Sequence, residues 1–424
     1  MPARRLLVVT YYHPPDPTSG HRWAAMGHWL RSLGHEVTTI TTSAWGALND
    51  DLATDTHRTG DLMASGLLRR LLLRPPLVSG AGSQNVIAKP PLTVIPKIVV
   101  PDVGLVTWLP AALAAARRLV RDRRIECVVT TSPMHSTHMI GLLLGRGRPA
   151  WIADFRDGWC YEPLRPPWPT RAQDHLDAAT ERRVARSAEA IIGVSRPIAE
   201  DFSVRLGIAA THIPNGWDPR WDARISQTSE VELEPGTVSV VHTGKLGGDV
   251  WRDPELLFIA MRRIAAHSPD AARRLRLVLA GPLDPRLREL LEDADSVGVR
   301  YVGQLSREGS LALQRSADAL LLVTSSHGIS ATPGKLYEYL AAGKPIIALA
   351  RKSEAAQIVQ ETGTGVTVAP DDVEGIAHAL LAAVDGTLGA AYAPKARDRY
   401  VYPAPAEAVA ELVERAIEQR HRTR

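Results

Sequence analysis

Cysteine is almost missing from this 424-residue chain, which has only Cys127 and Cys160. Two thiols cannot build a disulfide framework, so the sequence points to a reducing cytoplasm. An uninterrupted apolar run of about 18 residues, the length a membrane-spanning helix needs, is lacking too. The nearest stretch, Ile98–Ala116, is broken by Pro101, Asp102 and Pro110. The opening MPARRLLVVTYYHPP has no small-residue cleavage site where its apolar run meets His13-Pro14-Pro15. It therefore reads as a first buried strand, Leu6–Tyr12, and not as a secretion signal. Strong charge of one sign is also lacking. The net charge is +4 with a pI near 9.1, which permits an anionic ligand or an anionic membrane surface. It makes no case for nucleic acid, and no zinc-ligand or RNA-binding signature occurs.

What is present is an alternation of strands and helices. A chain of this length, 45% hydrophobic, exceeds one ordinary core and suits two domains. In the first half Leu6–Tyr12, Glu36–Thr41, Cys127–Thr131, Ala150–Asp154, Ala190–Val194 and Thr211–Ile213 read as strands. Gly20–Leu33, Leu109–Asp122 and Ala172–Ser187 read as helices between them. The rhythm restarts at TVSVVHTG. Helices Asp253–Ala266, Pro285–Asp293 and Ser306–Ser316 are followed in turn by the strands LRLVLAG, VRYVG and ALLLVT. The expected fold is α/β, with two doubly wound parallel sheets facing a cleft and ligands at the carboxyl ends of strands. The polar stretch Gln227–Pro235 reads as the linker. The domains are placed at 1–226 and 236–395, with 396–424 crossing back to the first.

ATPGKLYEYLAAGKPIIAL is the most informative segment. Thr332 suits an N-cap, Pro333 the first helical position and Gly343 the left-handed stop, while Ile346–Leu349 suits a buried parallel strand. Leu336 and Leu340 give the apolar stripe. Lys335 and Glu338 lie away from it, as a solvated ion pair or as groups facing a ligand. With Ser330, Thr332 and Gly334 before it, this helix start is ready for an anion, and a carboxylate beside it suits the hydroxyls of a ribose. After the strand Val238–Val241, HTGKLGGDVWRDP supplies Gly244, Gly247 and Gly248 for close approach of a ligand. The same segment supplies Lys245 and Arg252, either solvated loop charges or a pair of cations suited to a diphosphate. Val302, in YVGQLS, sits where backbone groups can receive a base or sugar.

In the first half WIADFRDGW places Asp154, Arg156 and Asp157 at a strand end, either bracing a turn or meeting a ligand hydroxyl. His135 and His138 in TTSPMHSTH have helical spacing but no third metal ligand. The DxD within EDADS reads as a solvated turn. SGLLRRLLLRPPLV, Ser65–Val78, is a leucine stripe rimmed by Arg69, Arg70 and Arg74. It suits either contact with an anionic membrane or cover for a groove.

Taken jointly, PGKLYEYLAAGKPIIAL, VHTGK…WRDP, YVGQLS…ADALLLVT, GVSRPIAEDF and IPNGWDP resemble the retaining nucleotide-sugar glycosyltransferases of family 4, which have the GT-B fold. The resemblance covers most of the chain, with the motifs in the family's order. It implies an N-terminal Rossmann-like acceptor domain and a C-terminal donor domain. The implied co-substrate is a nucleotide-diphosphate sugar, a UDP-sugar first, with no cofactor and no metal. Lys245 and Arg252 match the diphosphate-binding cations and Glu338 the ribose-binding glutamate. Gly20 matches the phosphate-side loop, and Asp157 a position used toward the acceptor or sugar. Arg22, His138 and Asp154 are the other acceptor-side candidates. Where the family usually carries a first, sugar-contacting glutamate, this chain has Ser330, so the sugar is left open. The acceptor expected is a small molecule or a lipid-linked glycan, met in the cytoplasm or at the inner face of the membrane. A nucleotide-sugar isomerase of the 2-epimerase kind and a non-catalytic nucleotide-sugar binder remain as alternatives. A dinucleotide oxidoreductase does not, because HPPDPTSG lacks the G-x-G-x-x-G such a protein wants after its first strand.

Overall fold

Strands such as LLVV and ALLLV are apolar at every position and need cover on both faces. The computed structural model shows that cover. It describes residues 2–15, 21–49, 51, 53–62, 98–163, 167–225, 230–246, 255–282, 291, 297–324, 328–330 and 332–423. Gly20, Gly247, Gly248, Arg252, the EDADS motif and the leucine-arginine segment Ser65–Val78 lie outside the described residues, as does nearly all of Pro285–Asp293.

The chain forms two units: Met1–Pro214 with Pro405–Arg424, and Asn215–Ala404. The first holds β1 (Arg5–Thr10), β2 (Glu36–Thr42), β3 (Thr56–Thr59), β4 (Cys127–Thr131), β5 (Ala150–Phe155), β6 (Ala190–Gly193) and β7 (Thr211–His212). They form one sheet in the order β3-β2-β1-β4-β5-β6-β7, and every pairing is parallel. The second unit holds β8 (Val238–Thr243), β9 (Leu275–Ala280), β10 (Val299–Tyr301), β11 (Ala319–Val323), β12 (Ile346–Leu349) and β13 (Gly365–Val368). Their order is β10-β9-β8-β11-β12-β13, again parallel throughout.

The alternation along each strand explains the two layers of helices. In β11 and β12, Leu321, Ile347 and Leu349 face a core shared with helices Glu255–His267 and Val373–Val384. Their neighbours Leu320, Leu322, Ile346 and Ala348 face the opposite core. That core is completed by helices Arg307–Ser316, Gly334–Ala342 and Glu354–Glu361. Fully burying one such leucine or isoleucine contributes roughly 1.5–3 kcal/mol.

The change of unit falls at Pro214/Asn215, ahead of the polar stretch Gln227–Pro235 read as the linker. The reason is backbone pairing. Trp217 N–H donates to the Tyr400 carbonyl at 2.7 Å and its carbonyl accepts from Tyr402 N–H at 2.9 Å, drawing this stretch into the second unit. The last helix, Ala404–Arg422, runs almost wholly within the first unit, with Arg4 donating to Glu414 at 2.6 and 2.8 Å. β3 goes beyond the strands the sequence suggests, because THRT carries no apolar residue; among the described residues it pairs with β2 alone, Thr39 to Thr56 through Thr42 to Thr59. Among the described residues, no helix is long and apolar enough to cross a membrane.

Candidate functional site

In the second sheet the strand order reverses between β8 and β11. The helices that follow these two strands, Glu255–His267 and Gly334–Ala342, pack on opposite faces of the sheet, the arrangement in which ligands bind at the carboxyl ends of strands. The groups found there are Gly244 and Lys245 after β8, and the 328–330 stretch leading to helix Gly334–Ala342 after β11.

Gly244 has φ +144° and its N–H donates to the Ala280 carbonyl at 2.8 Å. A Cβ on neighbouring Gly281, itself at φ +129°, would meet the Gly244 carbonyl oxygen at 2.3 Å. Only glycine lets the ends of β8 and β9 close up this way. The turn exposes Lys245, which has no ion-pair partner among the described residues. Lys335 Cε would lie 3.8 Å from a Cβ at Gly244, so a second ammonium stem covers the same turn.

The helix start differs from expectation by one residue. Pro333 occupies the N-cap position and Gly334 begins the helix, so Thr332 is not the cap. No side chain caps this end. Leu336 N–H is taken by the Pro333 carbonyl at 2.9 Å, and the preceding first-turn amides are the ones suited to an anion. Gly343 closes the helix at φ +72° as its sequence position implies. Ser330 stands in the loop before it, and Val302, after β10, donates its N–H to the Leu279 carbonyl at 2.9 Å.

Glu338 is 8% exposed. Its Oε2 accepts from Lys335 Nζ at 2.8 Å and from Gln314 Nε2 at 3.0 Å. Its Oε1 has Arg307 Nη2 at 3.4 Å. Burial pushes this carboxyl up, but Lys335, then Arg307, and the hydrogen bonds from Lys335 and Gln314 outweigh it and hold the group below its ordinary value. Gln314, fully buried, also donates to Thr243 Oγ1 at 2.8 Å, while Thr243 N–H donates to the Tyr339 hydroxyl at 3.0 Å. The end of β8 is thus fastened to both helices that carry the site. Arg307, Gln314 and Tyr339 were missed in the sequence. The available signal was a glutamine buried among Leu311, Ala312 and Leu313 on one helix.

In the first unit Asp154 and Arg22 are buried, with side chains 0% and 1% exposed. Asp154 accepts from Arg22 at 3.2 and 3.4 Å, Trp23 Nε1 at 2.7 Å and Thr131 Oγ1 at 2.8 Å. Arg22 further donates to the carbonyls of Pro214 and Ile213 at 2.8 and 3.0 Å. The carboxylate's lone pairs are taken up internally. The pair ties β1's following helix to β4, β5 and the end of β7, and does not present itself to an acceptor.

His138 is likewise withdrawn. It is 0% exposed, bonded through Nδ1 to Thr130 Oγ1 at 2.9 Å and stacked 4.5 Å from Phe155. Burial lowers its pKa to about 3, leaving a neutral core ring. Among the described residues no third ligand joins His135 and His138 in a metal set. Asp157 is different. It is half-buried and has no hydrogen-bond or ion-pair partner among the described residues. Burial raises its pKa, with Arg156 opposing and Asp154 adding to the rise.

If ionised Asp157 orients a hydroxyl, kcat/KM has an acid limb displaced above the usual carboxylate range, and Asp157→Asn removes it. The stability sign is opposite to the usual acid. A carboxyl whose pKa is raised on folding adds stability below its unfolded pKa, and that contribution is lost as pH rises through its folded pKa. Asp157→Asn therefore unfolds at higher temperature at pH 7 while turning over more slowly. Unfolding curves and pH–rate profiles of the two proteins measure this, and an unchanged acid limb would remove Asp157 from the site.

Residues 18–216 match the family described as glycosyl transferase 4-like domain, and residues 237–385 match glycosyl transferases group 1. No curated protein matches the chain by sequence. Among solved structures, a sucrose-phosphate synthase from Thermosynechococcus elongatus superposes with TM-score 0.62 at 16% identity, covering 97% of this chain and 98% of that one. A protein from Listeria monocytogenes described as a UDP-N-acetylglucosamine 2-epimerase gives 0.57 at 14% identity, covering 99% and 98%. An Anabaena protein solved with UDP-glucose gives 0.54 at 13%, also covering 99% and 98%. At such identities the likeness speaks for the fold, which transferases and the epimerase share, and the sequence families make the distinction. Between them the two family matches span most of the chain, and it belongs to the group 1, family 4-like glycosyltransferases with the GT-B fold.

Proposed function

We propose that this glycosyltransferase moves a sugar, with retention at the anomeric carbon, from a nucleoside diphosphate sugar to an acceptor hydroxyl. The observation that carries the reading is Glu338: ionised, buried, with Oε2 saturated and Oε1 lacking a short hydrogen bond. A vicinal diol such as a ribose is a fitting donor to that oxygen. Lys245 and the uncapped amides before Leu336 hold the diphosphate, and the family resemblance adds Arg252 and Gly20 to the phosphate-binding residues. As the bond from the anomeric carbon to the phosphate oxygen breaks, its electron pair stays on the diphosphate. The acceptor oxygen bonds to the carbon, and its proton passes to the departing phosphate oxygen. The cations stabilise the charge that grows there, with no metal required. Asp157 orients a hydroxyl of acceptor or sugar. Retention and the absence of a protein nucleophile are carried by the family resemblance.

The test is a panel of UDP-sugars read by thermal shift and by product formation with and without acceptor. A ligand at 100 times its dissociation constant adds about 2.7 kcal/mol. Binding followed by acceptor-dependent release of UDP supports the reading. An epimerised donor formed without acceptor would favour the isomerase, and binding with no turnover a binder. Within the same panel Ser330→Glu is expected to change the ranking of donors by kcat/KM. An identical ranking would mean that Ser330 does not meet the sugar.

A further inference from the structure

Trp221 lies in the 3-10 turn Pro219–Arg224, where sequence reading assigned no role. The Arg307 guanidinium lies over its ring, 4.2 Å from the centroid, and Arg307 Nε is buried without a partner among the described residues. Stacking on the indole, more than hydrogen bonding, therefore fixes where this guanidinium sits. Its position is 3.4 Å from Glu338 Oε1, beyond the roughly 2.7–2.9 Å of a charge-assisted hydrogen bond. At that distance Arg307 supports the carboxylate's charge without occupying the oxygen's lone pairs. The turn is itself anchored, since Asp222 pairs with Arg315 and accepts from Trp217 Nε1 at 3.1 Å. Arg224 also lies over the Trp221 ring, at 5.1 Å.

We propose that Trp221 is a positioning residue for nucleotide recognition: by holding Arg307 off Glu338 it keeps Oε1 open to a ligand diol. The inference rests on the reading of Glu338 as the diol-binding carboxylate. Without the indole, Arg307 is free to close a short hydrogen bond onto Oε1 and compete with the ligand. Loss of the aromatic ring thus strengthens an internal ion pair and weakens binding. A residue that merely supported the fold would weaken binding of every nucleotide alike.

The experiment is calorimetric titration of the full chain with UDP and with 2′,3′-dideoxy-UDP, for the parent, Trp221→Ala, Trp221→Phe, Arg307→Gln and the Trp221→Ala/Arg307→Gln double variant. The parent is expected to prefer UDP. Trp221→Ala should lose about tenfold toward UDP, with the dideoxy analogue affected less than threefold. Trp221→Phe should keep most of the preference. Adding Arg307→Gln to Trp221→Ala should recover affinity for UDP, because the competitor is gone. Equal losses for both nucleotides, or no recovery in the double variant, would overturn the proposal. A parent that binds UDP and its dideoxy analogue equally would overturn it together with Glu338's role, leaving the diphosphate site standing. A parent that binds neither would overturn the donor-site reading as a whole.

Discussion

Lys245→Ala and Arg252→Ala are each expected to lower kcat about 10²–10³-fold while reducing donor affinity less. Negative charge on the departing diphosphate is larger in the transition state than in the bound donor, so a cation fixed there acts chiefly on the barrier. Loss of one preorganised donor of this kind typically costs roughly 2.7–4 kcal/mol. Lys245 suits this role, standing beyond a turn that Gly244 and Gly281 bring close to the neighbouring strand, with no carboxylate among the described residues to neutralise it. Lys335 cannot substitute fully, since its ammonium is engaged by Glu338 at 2.8 Å. Steady-state kinetics with any accepted donor measures the effect. Turnover within a few-fold of the parent for both variants would make these two residues ordinary surface charges.

Arg22→Ala should cost the first unit about 3–5 kcal/mol, the range for removing one partner of a buried ion pair. Asp154 would keep Trp23 and Thr131 as donors but lose the cation that compensates its charge, at 0% exposure. The Ile213 and Pro214 carbonyls would lose their donor as well. Denaturant unfolding followed by tryptophan fluorescence reads the change. A loss below 1 kcal/mol would show that the pair is not what fastens these strands.

The contrast between these two sites explains what the sequence could reveal. Continuous apolar strands and the Pro333–Gly343 helix are local patterns, legible because burial and backbone geometry leave a trace at each residue. Lys245 and Glu338 stood out because glycine-rich turns and helix starts are local too. Asp154 and His138 looked like ligand groups since a polar residue at a strand end reads the same whether it faces solvent or core. What decides is a tertiary partner such as Trp23 or Phe155, far away in sequence. Arg307 and Trp221 were hidden for the same reason, their meeting being set by packing between a turn and a helix.

The interrupted path of the first unit has a consequence for biosynthesis. Asn215–Ala404 is contiguous, so β8 to β13 are all synthesised before the helix Ala404–Arg422. The unit that starts first must wait for Ala404–Arg422, whose Val409, Val413 and Ile417 are buried and whose Glu414 and Arg420 pair with Arg4 and Glu189. Folding as synthesis proceeds then completes the later-made unit first, against the usual order in multidomain chains. A released chain truncated after Ala404 should already resist protease across the second unit while Arg4 and the strand that follows it stay incompletely secured.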